Sequence, residues 1–351
     1  MTSSKRRGTG RGVCWWKFPP DITFNIFSRL PLQTLRRCRR MLKEWRIIIS
    51  DPHLINTHLI RSSQVEYPDI LILTKNKFYF VNRVSSIEES VKGFSLPKDL
   101  KSSIIINTCN GLLCSHRDNK THVWNPFTRE VMHIPPSRDT PKVLGFGFDP
   151  ILNQYKVVAF FISSNNVEVE VFTIGSSSWK KVTEVPFVPD PSYTSVLLNG
   201  SLHWSAWCMR SKRMGIGCFA IGDEEFRFVP LPSAAVSVHP LDLSVLGGSL
   251  ALAEHVYPNR VVVWLLKQQE GKMTWSKQFV LWLPAFMSIE SLHLLYLLKN
   301  GEIILEYNHQ KLVSFDPQRR QIRDIKTYPR SFETCAFLHV GSLVSPIIGT
   351  A

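Results

Sequence analysis

Cys109 and Cys114 stand five residues apart around Asn110-Gly111, His203 precedes Trp204, and Gly145-Phe146-Gly147 and Gly215-Ile216-Gly217 interrupt apolar runs. A thiol pair could serve redox or metal chemistry, a histidine proton transfer, and a glycine loop phosphate binding. The spacing argues against each. A phosphate loop needs a third glycine and a helix behind it, whose N–H groups hold the anion. Neither glycine pair has them, so both read as strand or turn glycines. Zinc or thiol redox sites favour C-x-x-C or paired Cys/His spacing, and the two cysteines read instead as small apolar packing. His203 reads as a satisfied strand histidine. G-x-S-x-G and H-E-x-x-H are both missing from the sequence. Asn199-Gly200-Ser201 fits a glycosylation sequon, but with no secretory signal before it the triplet reads as a hairpin turn. The expectation is a non-catalytic chain with no cofactor and no metal.

The composition fits that expectation. With 351 residues, 44% hydrophobic and 20% charged, the chain can bury a sizeable core. That length suits two or three domains, or one small domain and a larger all-β unit. No uncharged apolar run approaches the ~18 residues of a membrane span. The opening MTSSKRRGTGRGVCWWK has basic residues but no apolar h-region, so no secretory signal is expected. Seven cysteines without a C-x-x-C pair suggest free thiols in a reducing compartment, the cytoplasm and/or nucleus. Of the net charge of +14, residues 1–50 carry +10. Residues 1–17 read as a disordered, solvated basic tail, after which a basic helix surface meets an acidic partner. The alternatives are an import signal in the tail, or nucleic-acid binding through the tail and the Arg36–Arg40 cluster. Trp15-Trp16 could anchor a partner or cover the helices that follow.

Those helices lie in residues 18–54. Pro20 and Asp21 suit a first helical turn. Ile22, Ile26, Phe27 and Leu30 then recur at helical steps as one apolar stripe, which Pro31 ends. A second short helix places Leu32 and Leu35 inward. A third, from about Met41 to Ile49, carries Leu42, Trp45 and Ile49 on one face and stops at Ser50-Asp51-Pro52. About 40 residues bury too little surface to be comfortably stable alone. Moreover, Ile47, Ile48 and Ile49 cannot all point inward from one helix. The surplus must lie against the rest of the chain or a partner protein.

The run Phe18-Pro19-Pro20-Asp21, Ile26-Phe27-Ser28-Arg29-Leu30-Pro31, Leu35, Met41-Leu42-Lys43-Glu44-Trp45-Arg46 and Ile49-Ser50-Asp51-Pro52 resembles an F-box, without a gap in register. Phe18 stands where that family has Leu, and Met41-Leu42 where it has Val-Cys. The resemblance implies a three-helix all-α unit over 18–61 that docks on the Skp adaptor of a cullin-based ubiquitin ligase. Its adaptor side would be formed by Phe18, Pro19, Ile22, Ile26, Leu30, Pro31, Leu35 and Trp45. Trp45 could instead stabilise the helices.

Residues 55–68 read as a supporting helix or a linker, with 62–68 as the linker proper. From Asp69 the texture is all-β: short apolar runs alternate with turn residues. Asn110-Gly111, Asn199-Gly200, Gly247-Gly248 and Asn300-Gly301 sit between such runs and suit tight hairpins. Units close on Ile134-Pro135-Pro136, Val185-Pro186, Leu231-Pro232, Leu283-Pro284 and Tyr328-Pro329, with Leu96-Pro97 before them. Successive steps from Pro136 are 50, 46, 52 and 45 residues, a propeller-blade period. About six blades are expected, a pair of β-sandwiches being the alternative. The stretch before Pro97 is short of a strand, which Thr334–Ile347 could supply to latch the ring.

The signatures Cys109-Asn110-Gly111-Leu112-Leu113-Cys114, Trp124-Asn125-Pro126-Phe127-Thr128-Arg129-Glu130, Gly145-Phe146-Gly147-Phe148-Asp149-Pro150, Tyr155-Lys156-Val157-Val158 and Asn199-Gly200-Ser201-Leu202-His203-Trp204 resemble the plant F-box-associated domain. Over 69–351 this implies a substrate-recruiting domain on a ubiquitin ligase receptor, with an unknown protein target. The loops 116–122, 163–167, 208–215 and 256–260 are candidates for holding the target.

Overall fold

The computed structural model describes residues 19–64, 69–81, 93–163, 166–192, 194–233, 235, 242–256, 260–269, 272–282, 291–327 and 335–347. The basic tail, Trp15-Trp16 and Phe18 lie outside these residues. So do the blade-closing dipeptides Leu283-Pro284 and Tyr328-Pro329.

Four helices, one more than expected, open the described chain: α1 (Pro20–Phe27), α2 (Leu32–Met41), α3 (Lys43–Ile49) and α4 (Pro52–Ser63). Leu42 is extended, with φ −135° and ψ 143°, so α3 begins two residues later than the apolar spacing suggests. The fourth helix comes from Ser50-Asp51-Pro52, which stops one helix and starts the next. The Asp51 carboxylate accepts from the N–H groups of His53 and Leu54 at 2.8 and 3.2 Å, and Pro52 fills the first helical position. Phe27, Leu35, Ile49 and Leu54 form the buried centre of the helical unit, joined by Leu343 from the far end of the chain.

From Asp69 the strands form six sheets in sequence order, a six-bladed propeller and not a sandwich pair. Blades two to six span 104–134, 143–182, 187–230, 242–282 and 292–327. Blade one combines Asp69–Leu73, Lys77–Val81 and Gly93–Ser95 with the C-terminal strand Cys335–His339 as its first strand. Antiparallel pairing sets Asp69 opposite His339 and Leu73 opposite Cys335, which closes the ring as the sequence suggested. First strands of neighbouring blades pack together, Ile104–Cys109 on Val143–Asp149 and Asp242–Leu246 on Leu292–Leu297, so they form the inner wall.

Each sheet buries both faces against its neighbours, hence the near-continuous apolar strands. Phe160, Phe187, Trp204 and Phe219 fill the seam between blades three and four, and Leu71, Phe78, Leu113 and Trp124 that between one and two. Two indoles tie successive blades in the same way. Trp179 Nε1–H donates to Pro135 O at 2.8 Å, and Trp275 Nε1–H to Pro230 O at 2.9 Å. The carbonyls of Pro135, in a blade-closing dipeptide, and of Pro230, just before the closing Leu231-Pro232, are thus used by the next blade.

The short turns follow their residues. Asn110 and Gly111, Asn199 and Gly200, and Gly247 and Gly248 all take positive φ, as a tight hairpin with strand-like twist requires. Asn300-Gly301 differs: only Gly301 is left-handed, at φ 87°, within a longer connection from Leu297 to Ile303.

Candidate protein-interaction surfaces

The groups that looked able to do chemistry are structural. Cys109 and Cys114 are buried, and burial pushes both thiols well above their ordinary range, which keeps them protonated and unreactive. His203 shares a hydrogen bond of 3.3 Å with Val196 O, and burial holds its pKa below the usual value. Three of the four glycines in these pairs, Gly145, Gly215 and Gly217, make room for rings. A Cβ on Gly145 would lie 2.5 Å from Trp204 Cζ2, and one on Gly217 2.3 Å from Phe187 Cε2.

The helical unit divides its apolar residues between two directions. On α1, Phe27 is buried and Phe24 packs beside it, whereas Ile22 and Ile26, one turn apart, are 46% and 43% exposed. The single stripe expected from the sequence is therefore split. Pro19 and Pro31 are exposed and Leu30 is half-buried. Leu35 is 0% exposed inside the helical core, so it cannot touch a docked protein and is removed from the expected adaptor side. Trp45 packs edge-on against Phe27, ring centres 5.7 Å apart, and is half-buried in the same core. Ile49 is buried, Ile48 half-buried and Ile47 exposed, so the isoleucine triplet turns through the helix surface. Met41, Ile47 and Ile60, not anticipated as docking residues, are also exposed.

The opposite side of this unit is fixed to the propeller by residues 340–347. Leu343 enters the helical core and Val344 the core beneath blade two, where Ile55 and Leu59 of α4 also pack. Asn125, from the Trp-Asn-Pro-Phe-Thr-Arg-Glu run, is fully buried. Its Nδ2–H donates to Ser342 O at 3.0 Å and Val344 O at 2.8 Å, while Oδ1 accepts from Phe127 N–H at 2.7 Å and Thr128 N–H at 3.3 Å. Ser342 Oγ–H donates to Asn110 O at 2.6 Å. A side chain at Gly111 would meet Ser342, and one at Gly341 would meet Leu32, so both glycines are needed for this approach. Arg39 adds an ion pair to Glu130 at 3.2 Å. The sequence marked Asn110-Gly111 as a hairpin turn and the Trp124–Glu130 run as a family signature; that both grip the C-terminal segment had no signal in either motif alone.

The basic cluster lies at this junction. Arg36, Arg37 and Arg40 line a cleft of about 320 Å³ whose other wall holds Phe78, Phe80 and Phe127. Burial, with the nearby charges of Arg129 and Arg40, holds the Arg36 pKa below its usual range.

In a ring of blades with one strand order, equivalent turns open on one face. The first-to-second turn at Asn110-Gly111 and the third-to-fourth turn at 125–130 both meet the helical junction. The loops 116–122, 163–167, 208–215 and 256–260 join second to third strands, and therefore open on the opposite face. Residues 164–165 and 257–259 of these loops lie outside the described ones. The corresponding turn of blade six is 308–310.

Comparison with known proteins agrees with this division. The F-box-like family matches residues 15–61, and the F-box associated beta propeller domain matches residues 70–336. The F-box protein CPR1 of Arabidopsis thaliana is 31% identical over 378 aligned positions, covering 93% of this chain and 88% of that protein. F-box protein At3g07870 of the same plant is 27% identical, covering 96% and 94%. Protein SUPPRESSOR OF NIM1 1, also from Arabidopsis thaliana, is 28% identical over 72% of this chain and 74% of its own length.

Proposed function

Because this chain belongs to the plant F-box proteins that carry an F-box-associated β-propeller domain, we propose that it is the substrate-recognition subunit of a Skp–cullin–F-box ubiquitin ligase. The helical unit binds a Skp-type adaptor, and through it the cullin. The propeller holds a protein target so that its lysines reach the ubiquitin carried elsewhere in the complex. The chain itself makes no bond. Its contribution is position, which raises the effective concentration of target at the conjugating enzyme.

The observation that carries this reading is the outward pair Ile22 and Ile26 on a helix whose inner side is already satisfied by its own core. Exposed branched side chains on a small unit locked to a larger domain suit a protein partner. The rigid junction supports the reading too, since a receptor that positions its cargo needs a fixed angle between its two ends. Phe18, Pro19 and Leu30 complete the adaptor side in this proposal, with Pro31 at its edge.

The test is binding of the full chain to a purified Skp-type adaptor. Ile22→Ala with Ile26→Ala should weaken binding by about 30-fold, the loss of ~2 kcal/mol typical of central anchors, and leave the melting temperature unchanged. A wild-type chain that ignores the adaptor, or a double variant that binds as well as wild type, would refute the proposal.

A further inference from the structure

Three residues that the sequence keeps apart meet on the face opposite the helical unit. His293 lies in the first strand of blade six, Glu306 in the second, and His309 in the turn that follows. Antiparallel register sets His293 directly across from Glu306. One ligand atom from each of the three lies within 4.8 Å of the other two. We propose that His293, Glu306 and His309 form a zinc site on blade six, with its fourth position open to solvent.

The donor set favours this metal. Two imidazoles and one carboxylate, with one position left for water or another donor, is a recurrent zinc arrangement. Zn–ligand bonds near 2.1 Å place donors about 3.4 Å apart, so closure by little more than an ångström completes the site.

Supporting contacts on two neighbouring blades already aim the ligands. Asp242 Oδ2, in the first strand of blade five, lies 2.9 Å from His293 Nδ1; in this proposal Nε2 is the ligand. Carboxylates behind metal-binding histidines commonly fix ring orientation in this way. Glu306 is fully buried, and its Oε2 accepts from Ala336 N–H of blade one at 3.3 Å. Asn308 N–H bonds Ser291 O at 2.9 Å, and Asn308 Oδ1 accepts from Ser291 N–H at 3.2 Å, which anchors the turn. Asn308 and His309 are both left-handed, at φ 49° and 52°, a costly conformation for two consecutive non-glycine residues. The side chain of His293 is 37% exposed, which provides an entry path.

The experiment uses the full chain, freed of metal by chelation, and titrates it with zinc sulfate and, in parallel, with cobalt(II). Wild type should bind one equivalent at micromolar concentration, with a tetrahedral cobalt spectrum lacking a thiolate charge-transfer band. His309→Ala, on a surface turn, should weaken binding by at least ~100-fold while the metal-free melting temperature stays unchanged. Asp242→Ala, behind His293, should weaken it by about 10- to 100-fold. No zinc bound at micromolar concentration, a thiolate band from one of the cysteines, or unchanged binding in His309→Ala would each overturn the assignment. The measurement needs no adaptor, so it stands or falls apart from the receptor reading.

Discussion

His339 is a buried histidine whose proton uptake differs between the folded and the unfolded chain. It sits 1% accessible against Phe80 and Phe127, and burial lowers its pKa to about 3. The folded chain thus refuses a proton that the unfolded chain takes up near pH 6.5. Stability falls as pH drops below that value, by up to ~1.4 kcal/mol per unit, until about pH 3. Between pH 7 and 5, His339→Phe should lose about 2 kcal/mol less than wild type in urea unfolding, and an equal loss would show that His339 does not govern acid sensitivity. Lys156 is a second buried polar anchor. Its ammonium donates to Ile221 O and Glu224 Oε1, each at 2.8 Å, across the seam between blades three and four. Lys156→Ala leaves that carboxylate with the exposed Lys180 as its partner among the described residues and strips Ile221 O of its donor, and should cost about 1–3 kcal/mol, read from the same unfolding curves.

At the scale of elements, α1 and α2 separate folding from docking. Leu35→Ala opens a cavity in the helical core and should destabilise that unit by about 2–5 kcal/mol, seen as early loss of helical ellipticity. Ile26→Ala removes surface and should leave the melt within about 0.5 kcal/mol of wild type. The segment 340–347 behaves as an element without regular hydrogen bonding. It is held by Asn125 and by the division of Leu343 and Val344 between two cores. A chain ending at Val340 keeps the closing strand but loses this grip. Calorimetry should then resolve two transitions where wild type shows one, and trypsin should release the helical unit faster.

For the whole molecule, ring closure sets the stability. Cys335–His339 covers the edge of Asp69–Leu73, 262 residues away at the Leu73–Cys335 pair, and without it an apolar strand edge would face water. Removing residues 334–351 should yield an aggregating chain by light scattering, in contrast to the soluble chain ending at Val340. The helical unit occupies one face and the second-to-third turns the other. A partner on each face can therefore be held at a fixed separation through a rigid ring.

What the sequence determined by itself was everything carried by local chemistry and period. The helix starts at Pro31-Leu32 and Pro52, hairpins at Asn110-Gly111 and Asn199-Gly200, and the blade step near 50 residues each depend on neighbours in the chain, although the first helix stops at Phe27, short of Pro31. The family resemblance followed from those same local signals, and ring closure followed from counting strands. Tertiary structure decided which way a side chain faces and which distant residues meet. An apolar period marks Ile22, Ile26, Phe27 and Leu35 alike, because hydrophobicity does not record which surface covers them; packing alone makes Leu35 core and Ile26 surface. Asn125 reads as a turn former until Ser342 and Val344 arrive from more than two hundred residues away. His293, Glu306 and His309 follow no metal-binding spacing, since strand pairing and not sequence distance brings them together.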